Sequence, residues 1–581
     1  MFGSIPPGLF FVALALVLPF LPRQSRAWAF LVAPVLSLVH LSGLETGTTA
    51  TWQLATFELE PLRVDRLANV FGWILSIITL LGGIFALHLK DTSQQVAALL
   101  YAGSALGVVY AGDLFTLFFF WEIMAFGSAW LIWARRTPEA YAAGLRYIYV
   151  HLFGGAVLLG GILWQMAETG SLRFEAFDLD GPGILILVGF FLNAAAVPLH
   201  AWIADAYPRA TITGAVFMSA LTSKTAVYTL ARGFPGWEVV MWVGVIMAVY
   251  GVTYAILSND MRRVLAYHIV SQVGFMVAGI GIGTEYTLNG ASAHAFTNIL
   301  EKSLLFMATG AIIHATGVSR MSHLGGLYKK LPVLFWLYMI PALSISSAPF
   351  LGGFLSKPMT ISGAEYATVP SVVLLMHLAS VGTLLSVGLK LPYFTWFTKP
   401  RGLAEGEERT VAPIPWNMYA AIGLGGAGLI FLGLWRWPLY NLLPYEVVFD
   451  PYETKNLKKA FQLIGFATLA FLVIAARLKP KPKIQLDFEW FYRAPSALVW
   501  KWVVHPVVGV FVWAERVSWE LARALVPVGF DPVSVIRSGR PGPTSPSGET
   551  ASTGFRVTMT AMVMIAALAF AIILFWFVLL R

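Results

Sequence analysis

The chain has 581 residues, 58% hydrophobic and only 12% charged, with a mean hydropathy of +0.73 and a formal net charge of +9. A soluble chain of this length cannot hide that much apolar surface, so most of its solvent is lipid. The basic residues sit in short loops rather than in a patch, which excludes nucleic acid as a partner. The lack of cysteine excludes disulfides, thiolate metal sites, iron–sulfur clusters and cysteine nucleophiles.

The first apolar run, Leu9–Leu21, has no basic region before it and reads as a retained helix rather than a signal peptide. Crossing the hydrocarbon takes about 20 apolar residues. By that measure spans are predicted near 6–22, 27–43, 67–88, 94–112, 114–134, 143–166, 183–206 and 211–232. Others are predicted near 238–257, 264–284, 291–316, 331–359, 370–397, 413–436, 459–477 and 553–580. The expected fold is an all-α polytopic membrane protein with about 16 transmembrane helices.

Loop charge orients these spans. Arg23/Arg26, Arg135/Arg136, Arg262/Arg263, Arg320 with Lys329/Lys330, Lys399/Arg401 and Arg477–Lys483 fall on one side; Glu45–Asp65, Glu168–Asp180 and Glu285 fall on the other. Positive loops stay cytoplasmic, so the N-terminus is expected in the periplasm of a bacterial inner membrane. Two spans carry breakers, one at Pro198 and the other at Pro349, Gly352, Gly353 and Pro358. Interrupted helices at membrane depth belong against protein or water, and a pair of them is the pattern of inverted-repeat transporters; an ordinary kink is the bland alternative for either alone.

After 477 the pattern changes. The segment 483–526 mixes Trp490, Trp500, Trp502, Trp513 and Trp519 with Arg493, Lys501, Glu515, Arg516, Glu520 and Arg523, which suits an interfacial amphipathic helix. Residues 527–552 read as a flexible linker, and 553–581 as a final transmembrane helix that straps neighbouring chains together or anchors the tail.

Ionisable groups at membrane depth cost several kcal/mol and face a partner or water. Glu122, Lys224, His294, Glu301, Lys302, Lys357 and Lys390 all fall inside apolar runs, and all but Glu301 are expected to line a proton path. His294, Asn298 and Lys302 are spaced i, i+4, i+8 and share a helix face, so they form a polar stripe able to hold water and pass protons. A lysine whose carboxylate partner moves would load or release a proton; a static buried pair that fixes packing is the alternative. His268, just inside a span, is a further candidate. His200, His314 and His323 lack metal-ligand spacing. The glycine runs Gly423–Gly428 and Gly279–Gly283 lie inside spans and read as close helix packing, not dinucleotide binding. No metal, cofactor or hydrolytic site is expected.

The stretches GDLFTLFFFWEIMAFGS, PLHAWIADAYPRAT, LTSKTAVYTLARGFPG, NDMRRVLAYHIVSQVGFMVAGIGIGTE, AHAFTNILEKSLLFMATGAI and LGGLYKKLP resemble the antiporter-like subunits of respiratory complex I. The nearest likeness is to the D-type subunit of Mrp-type multisubunit sodium/proton antiporters, and LDFEWFYR is similar to a tail segment of longer bacterial members. The apolar spans place N-terminal helices over 1–93, and the resemblance implies two inverted five-helix repeats, 94–232 and 238–397, each with a broken helix. Additional spans over 413–477 complete this arrangement.

The resemblance also implies a proton path. Glu122 matches the glutamate of the fifth helix and Lys224 the lysine of the eighth. His294 and Lys302 match the eleventh-helix pair, and Lys357 the charge at the twelfth-helix break. The lysine that ordinarily partners the glutamate is replaced by Asn193. Asn298 stands where relatives often have histidine, and Glu301 is an unexpected acid.

The expected function is proton or sodium/proton translocation as one subunit of a hetero-oligomeric complex, with other membrane subunits and the lipid bilayer as partners. The alternative is a scaffold within a complex I-like redox or inorganic-carbon uptake assembly, its pumping impaired at Asn193.

Overall fold

Helix boundaries follow the short polar side chains that precede the apolar runs. The computed structural model describes residues 4–54, 57–399, 410–481 and, within 487–530, all but 489, 492–494 and 496–497. The described residues fall into two bodies: 4–53 with 58–481, and 54 and 57 with 487–530.

The first body begins with α1 (Gly8–Val17) and α2 (Val32–Ser42). The strands β1 (Thr49–Leu54) and β2 (Phe57–Arg63) pair in a two-stranded sheet, which corrects the all-α expectation. The cause is legible locally, because Phe57-Glu-Leu-Glu alternates apolar and polar residues with a period of two.

Helices follow as α3 (Arg66–Phe85), α4 (Thr92–Tyr110), α5 (Leu114–Trp133), α6 (Pro138–Thr169), α7 (Gly181–Asn193), α8 (Ala201–Ala206), α9 (Ile212–Ala220) and α10 (Thr222–Gly233). Beyond these lie α11 (Glu238–Leu257), α12 (Met261–Ile282), α13 (Glu285–Thr316), α14 (Pro332–Ile345) and α15 (Gly352–Tyr366). The body closes with α16 (Pro370–Thr383), which continues through two π-helical stretches to Phe397, then α17 (Trp416–Leu434) and α18 (Thr454–Ile474). Among the described residues nine helices are long and apolar enough to cross a membrane, and four apolar helical segments are shorter.

Two stretches share a frame. Asp113 caps α5 and bridges to Arg173; Asp260 caps α12 and bridges to Arg320. Thr137 caps α6 and Thr284 caps α13, both helices run 32 residues, and each ends on a left-handed glycine, Gly170 or Gly317. Each member of these pairs lies 147 positions from its counterpart (260 − 113). The backbone bonds repeat as well: Leu114 N–H to Leu172 O at 2.8 Å and Met261 N–H to Ser319 O at 2.9 Å.

Both expected breaks are present. Between α7 and α8, Ala195 takes a positive φ of 57° and Val197–Pro198 is cis; between α14 and α15, Ser347 and Phe350 take positive φ of 60° and 67°. A third interruption at Leu221, with ψ of −75°, separates α9 from α10.

Packing explains the glycine runs. α11 and α12 meet backbone to backbone, since a Cβ on Gly244 would lie 2.2 Å from Ala278 N and one on Gly274 2.4 Å from Ala248 N. Small residues at four-residue spacing allow that approach. Gly425 and Gly426 of α17 likewise admit Leu304 and Ile340.

The second body contains a π-helical turn, Trp500–Val504, leading into α19 (His505–Phe530). Trp500, Trp502, Phe511 and Trp513 are all exposed on it. The expected linker beyond 530 and the expected final span lie outside the described residues.

Candidate ion-translocation site

A lysine with its chain buried among apolar helices needs an acceptor for each N–H it keeps. The first body supplies these at irregular points of its helices, where a carbonyl is released from the i→i−4 ladder. Lys224, one turn after the Leu221 interruption, donates to Ser219 O at 2.6 Å. Lys357, on the first turns of α15, donates across the break to Ile345 O at 2.5 Å and sits 5.2 Å from the centre of the Phe275 ring. Lys390, in a π-helical stretch, donates to Ile256 O and, at 2.8 Å, to Ser258 O.

Lys302 differs. Its Nζ lies 2.5 Å from Nδ1 of His268, a hydrogen-bond contact between α13 and α12. Lys302 also feels the charges of Lys224, Glu301 and Lys357, and His294 feels those of Lys357, Lys224 and Lys302. Lys224, His268, His294, Lys302 and Lys357 thus form one electrostatic cluster, and all are buried. His294 reaches Ser356 Oγ at 3.4 Å, which in turn lies 2.7 Å from Thr297 Oγ1.

The unexpected acid, Glu301, has a defined seat. Ser344 Oγ donates to Glu301 Oε1 at 2.6 Å and accepts from Gly353 N–H at 3.0 Å, so the carboxylate ties together both sides of the α14–α15 break. A Cβ on Gly353 would come within 2.0 Å of Ser344 O and 2.4 Å of Glu301 Oε1. Asn298 lies beside Glu301, whose Oε2 is buried without a hydrogen-bond partner of standard geometry. Buried polar atoms left in this way are positions where water completes the network.

The first half is arranged differently. Glu122 is partly buried and its Oε1 has no partner; it approaches α6 at Gly155, where a Cβ would lie 1.9 Å away. Leu192, the neighbour of Asn193, packs on the adjacent Gly154. Asn193 itself is buried at the end of α7, and neither polar atom of its carboxamide is hydrogen-bonded. An amide there hydrogen-bonds water but holds no proton charge.

The structure brings His268, the further candidate, against Lys302 and close to Lys357 and His294. Sequence reading passed over Arg146 in α6, which donates to Asp205 Oδ2 of α8 at 2.7 Å, and Arg209, which pairs with the same carboxylate. His151, buried and stacked on Tyr147 at 4.0 Å, was equally silent. The only cue to Arg146 is a charge inside an apolar run. Lys390 is placed apart from the cluster, on the carbonyls that end α11, where a cation is favoured by the helix dipole.

Residues 111–386 match the NADH:quinone oxidoreductase/Mrp antiporter transmembrane family. Glu122, Lys224, Lys302 and Lys357 all lie within the matched segment, and Lys390 lies beyond it. The chain is 29% identical over 500 residues to the A-type subunit of the Na(+)/H(+) antiporter of Alkalihalophilus pseudofirmus, an alignment covering 75% of this chain and 61% of that protein. The chain therefore spans about three-fifths of that relative's length.

Two solved structures have the same fold. A chain of the membrane-bound sulfane sulfur reductase, an archaeal respiratory membrane complex, superimposes with a TM-score of 0.68 at 21% identity, covering 98% of this chain and 99% of its own. A chain of the Mrp complex from Dietzia sp. DQ12-45-1b gives 0.66 at 22%, covering 81% and 99%. These antiporter relatives carry the A-type designation and not the D-type expected from the motifs.

Proposed function

We propose that the chain is an antiporter-like subunit of a multisubunit membrane complex of Mrp type, moving protons in exchange for sodium. The observation that carries this reading is the Lys302–His268 contact at 2.5 Å inside a cluster of buried lysines. Two bases in hydrogen-bond contact in a dry interior form a relay step, because small displacements decide which one is charged. The path runs Glu122, Lys224, Lys302 with His268, and Lys357, with His294, Asn298 and Glu301 as polar support. Lys390 serves as an end cap on α11 rather than as a step.

The 147-residue offset between capped helices supports two repeats over 94–232 and 238–397, related by inversion, in a fold of sixteen spans. The charge alternation supports a periplasmic N-terminus in a bacterial inner membrane. The exposed tryptophans of α19 suit an interfacial helix. The motif likeness favours a D-type position; co-purification with a separate A-type chain would support it, and a complex lacking one would oppose it.

Asn193 favours a narrower second reading, in which the first half scaffolds and only the second half conducts. Reconstituted complex in vesicles, with a pH-sensitive dye inside, tests both. Sodium-driven proton flux supports transport, and its absence from an intact complex overturns it. If Asn193→Lys raises that flux, the first half was impaired; unchanged flux means that it was not limiting.

A further inference from the structure

Lys357 is 2% exposed, yet it lines a cavity of about 230 Å³ between α15, α16 and α18. At the other end stand Glu365, His377 and Lys459, whose side chains are 29%, 39% and 40% exposed. The cavity therefore leads from the buried ammonium to the protein surface. Ser347 Oγ and Ser380 Oγ line it, buried and without a protein partner, which is the signature of hydroxyls that bind water. Since one water takes about 30 Å³, the volume accommodates several in a row.

An ion pair stands at the mouth. Lys459 of α18 donates to both oxygens of Glu365, at 2.7 and 2.9 Å, and His377 Nε2 lies 3.7 Å from Oε1. Lys455, Glu453 and Tyr286 are the further titratable groups whose fields reach this corner. α18 lies on the outside of this chain, with most of its apolar window uncovered by the other helices. An ion pair this exposed is weak, so it breaks at small cost.

We propose that protons pass between Lys357 and outside water through this cavity, and that Lys459 is its gate. In the open state Lys357 gives its proton to cavity water and remains as a neutral amine. The proton leaves as hydronium past Ser380 and His377, and the amine is reloaded from the interior cluster. This extends the proposed function above and rests on it.

The chain has no cysteine, so single thiols report without background from it. Ser380→Cys, in the whole complex in membrane vesicles, is treated with a cationic, membrane-impermeant methanethiosulfonate, and modification is read as the mass of this chain. The expected result is slow modification from one side, accelerated about two- to fivefold by Lys459→Met, the factor an exposed pair is worth, and unchanged by Lys459→Arg. Gln462→Cys replaces Ser380→Cys if the latter fails to assemble. No modification at either position, or a rate indifferent to Lys459→Met, overturns the proposal. Gated labelling in vesicles without ion flux would instead sink the transport reading and leave the gated cavity standing.

Discussion

Lys302 Nζ and His268 Nδ1, on neighbouring helices and 34 positions apart, lie 2.5 Å from one another in a fully buried environment. Two cations that close would repel strongly at low dielectric, so at most one of the pair is charged at a time. The proposed path makes His268 a working base and not a spectator. Replacing it with phenylalanine is expected to reduce flux on the order of a hundredfold, as loss of a proton-transfer group does. Near-normal flux in His268→Phe complex vesicles would reduce His268 to a packing residue.

The α14–α15 break depends on glycine at 353. A methyl group there meets the Ser344 carbonyl at 2.0 Å, backbone that cannot step aside cheaply, and also displaces Glu301. Gly353→Ala is expected to cost about 1–3 kcal/mol of stability and most of the flux. Gly155→Ala meets only the flexible end of Glu122, so it is expected to lower flux with stability changed by less than about 1 kcal/mol. Thermal unfolding beside the flux assay separates the two cases.

Much of this site was legible because charge in an apolar run is conspicuous: Lys224, Lys302 and Lys357 stand out by composition alone, and Pro198 and Pro349 mark the breaks. What each lysine holds was not legible. Ser219 O, Ile345 O and Ser258 O are backbone atoms, released by local irregularities that no residue type announces. The His268–Lys302 and Glu365–Lys459 contacts join segments far apart in sequence, and helices buried all round give no periodicity to orient them. The β1–β2 pair was missed because a membrane-span search attends to apolar length and not to alternation.

Lys390 separates cap from path. Lys390→Met removes the donor to Ile256 O and Ser258 O and is expected to cost about 1–2 kcal/mol. Flux per assembled complex is expected to persist. A selective loss of flux at unchanged stability would return Lys390 to the path.

Asp91, in the loop before α4, offers a pH test outside the membrane. Burial pushes its carboxyl up, but hydrogen bonds from Ser93 and Gln94 and the charge of Arg136 prevail and hold it below its ordinary value. Its contribution is thus fully present above the unfolded-state pKa of about 3.9 and is lost as pH falls through the lowered folded value. Asp91→Asn should be less stable than the parent at neutral pH, with the gap closing in acid. A gap constant from neutral to strongly acid pH would contradict the assignment.

The most direct test is sodium-driven proton flux by the whole complex in vesicles, comparing the parent with Lys302→Ala and Lys357→Ala at equal amounts of this chain. The proposed path requires each substitution to reduce flux on the order of a hundredfold while the complex stays assembled. Unchanged exchange in both variants would contradict it.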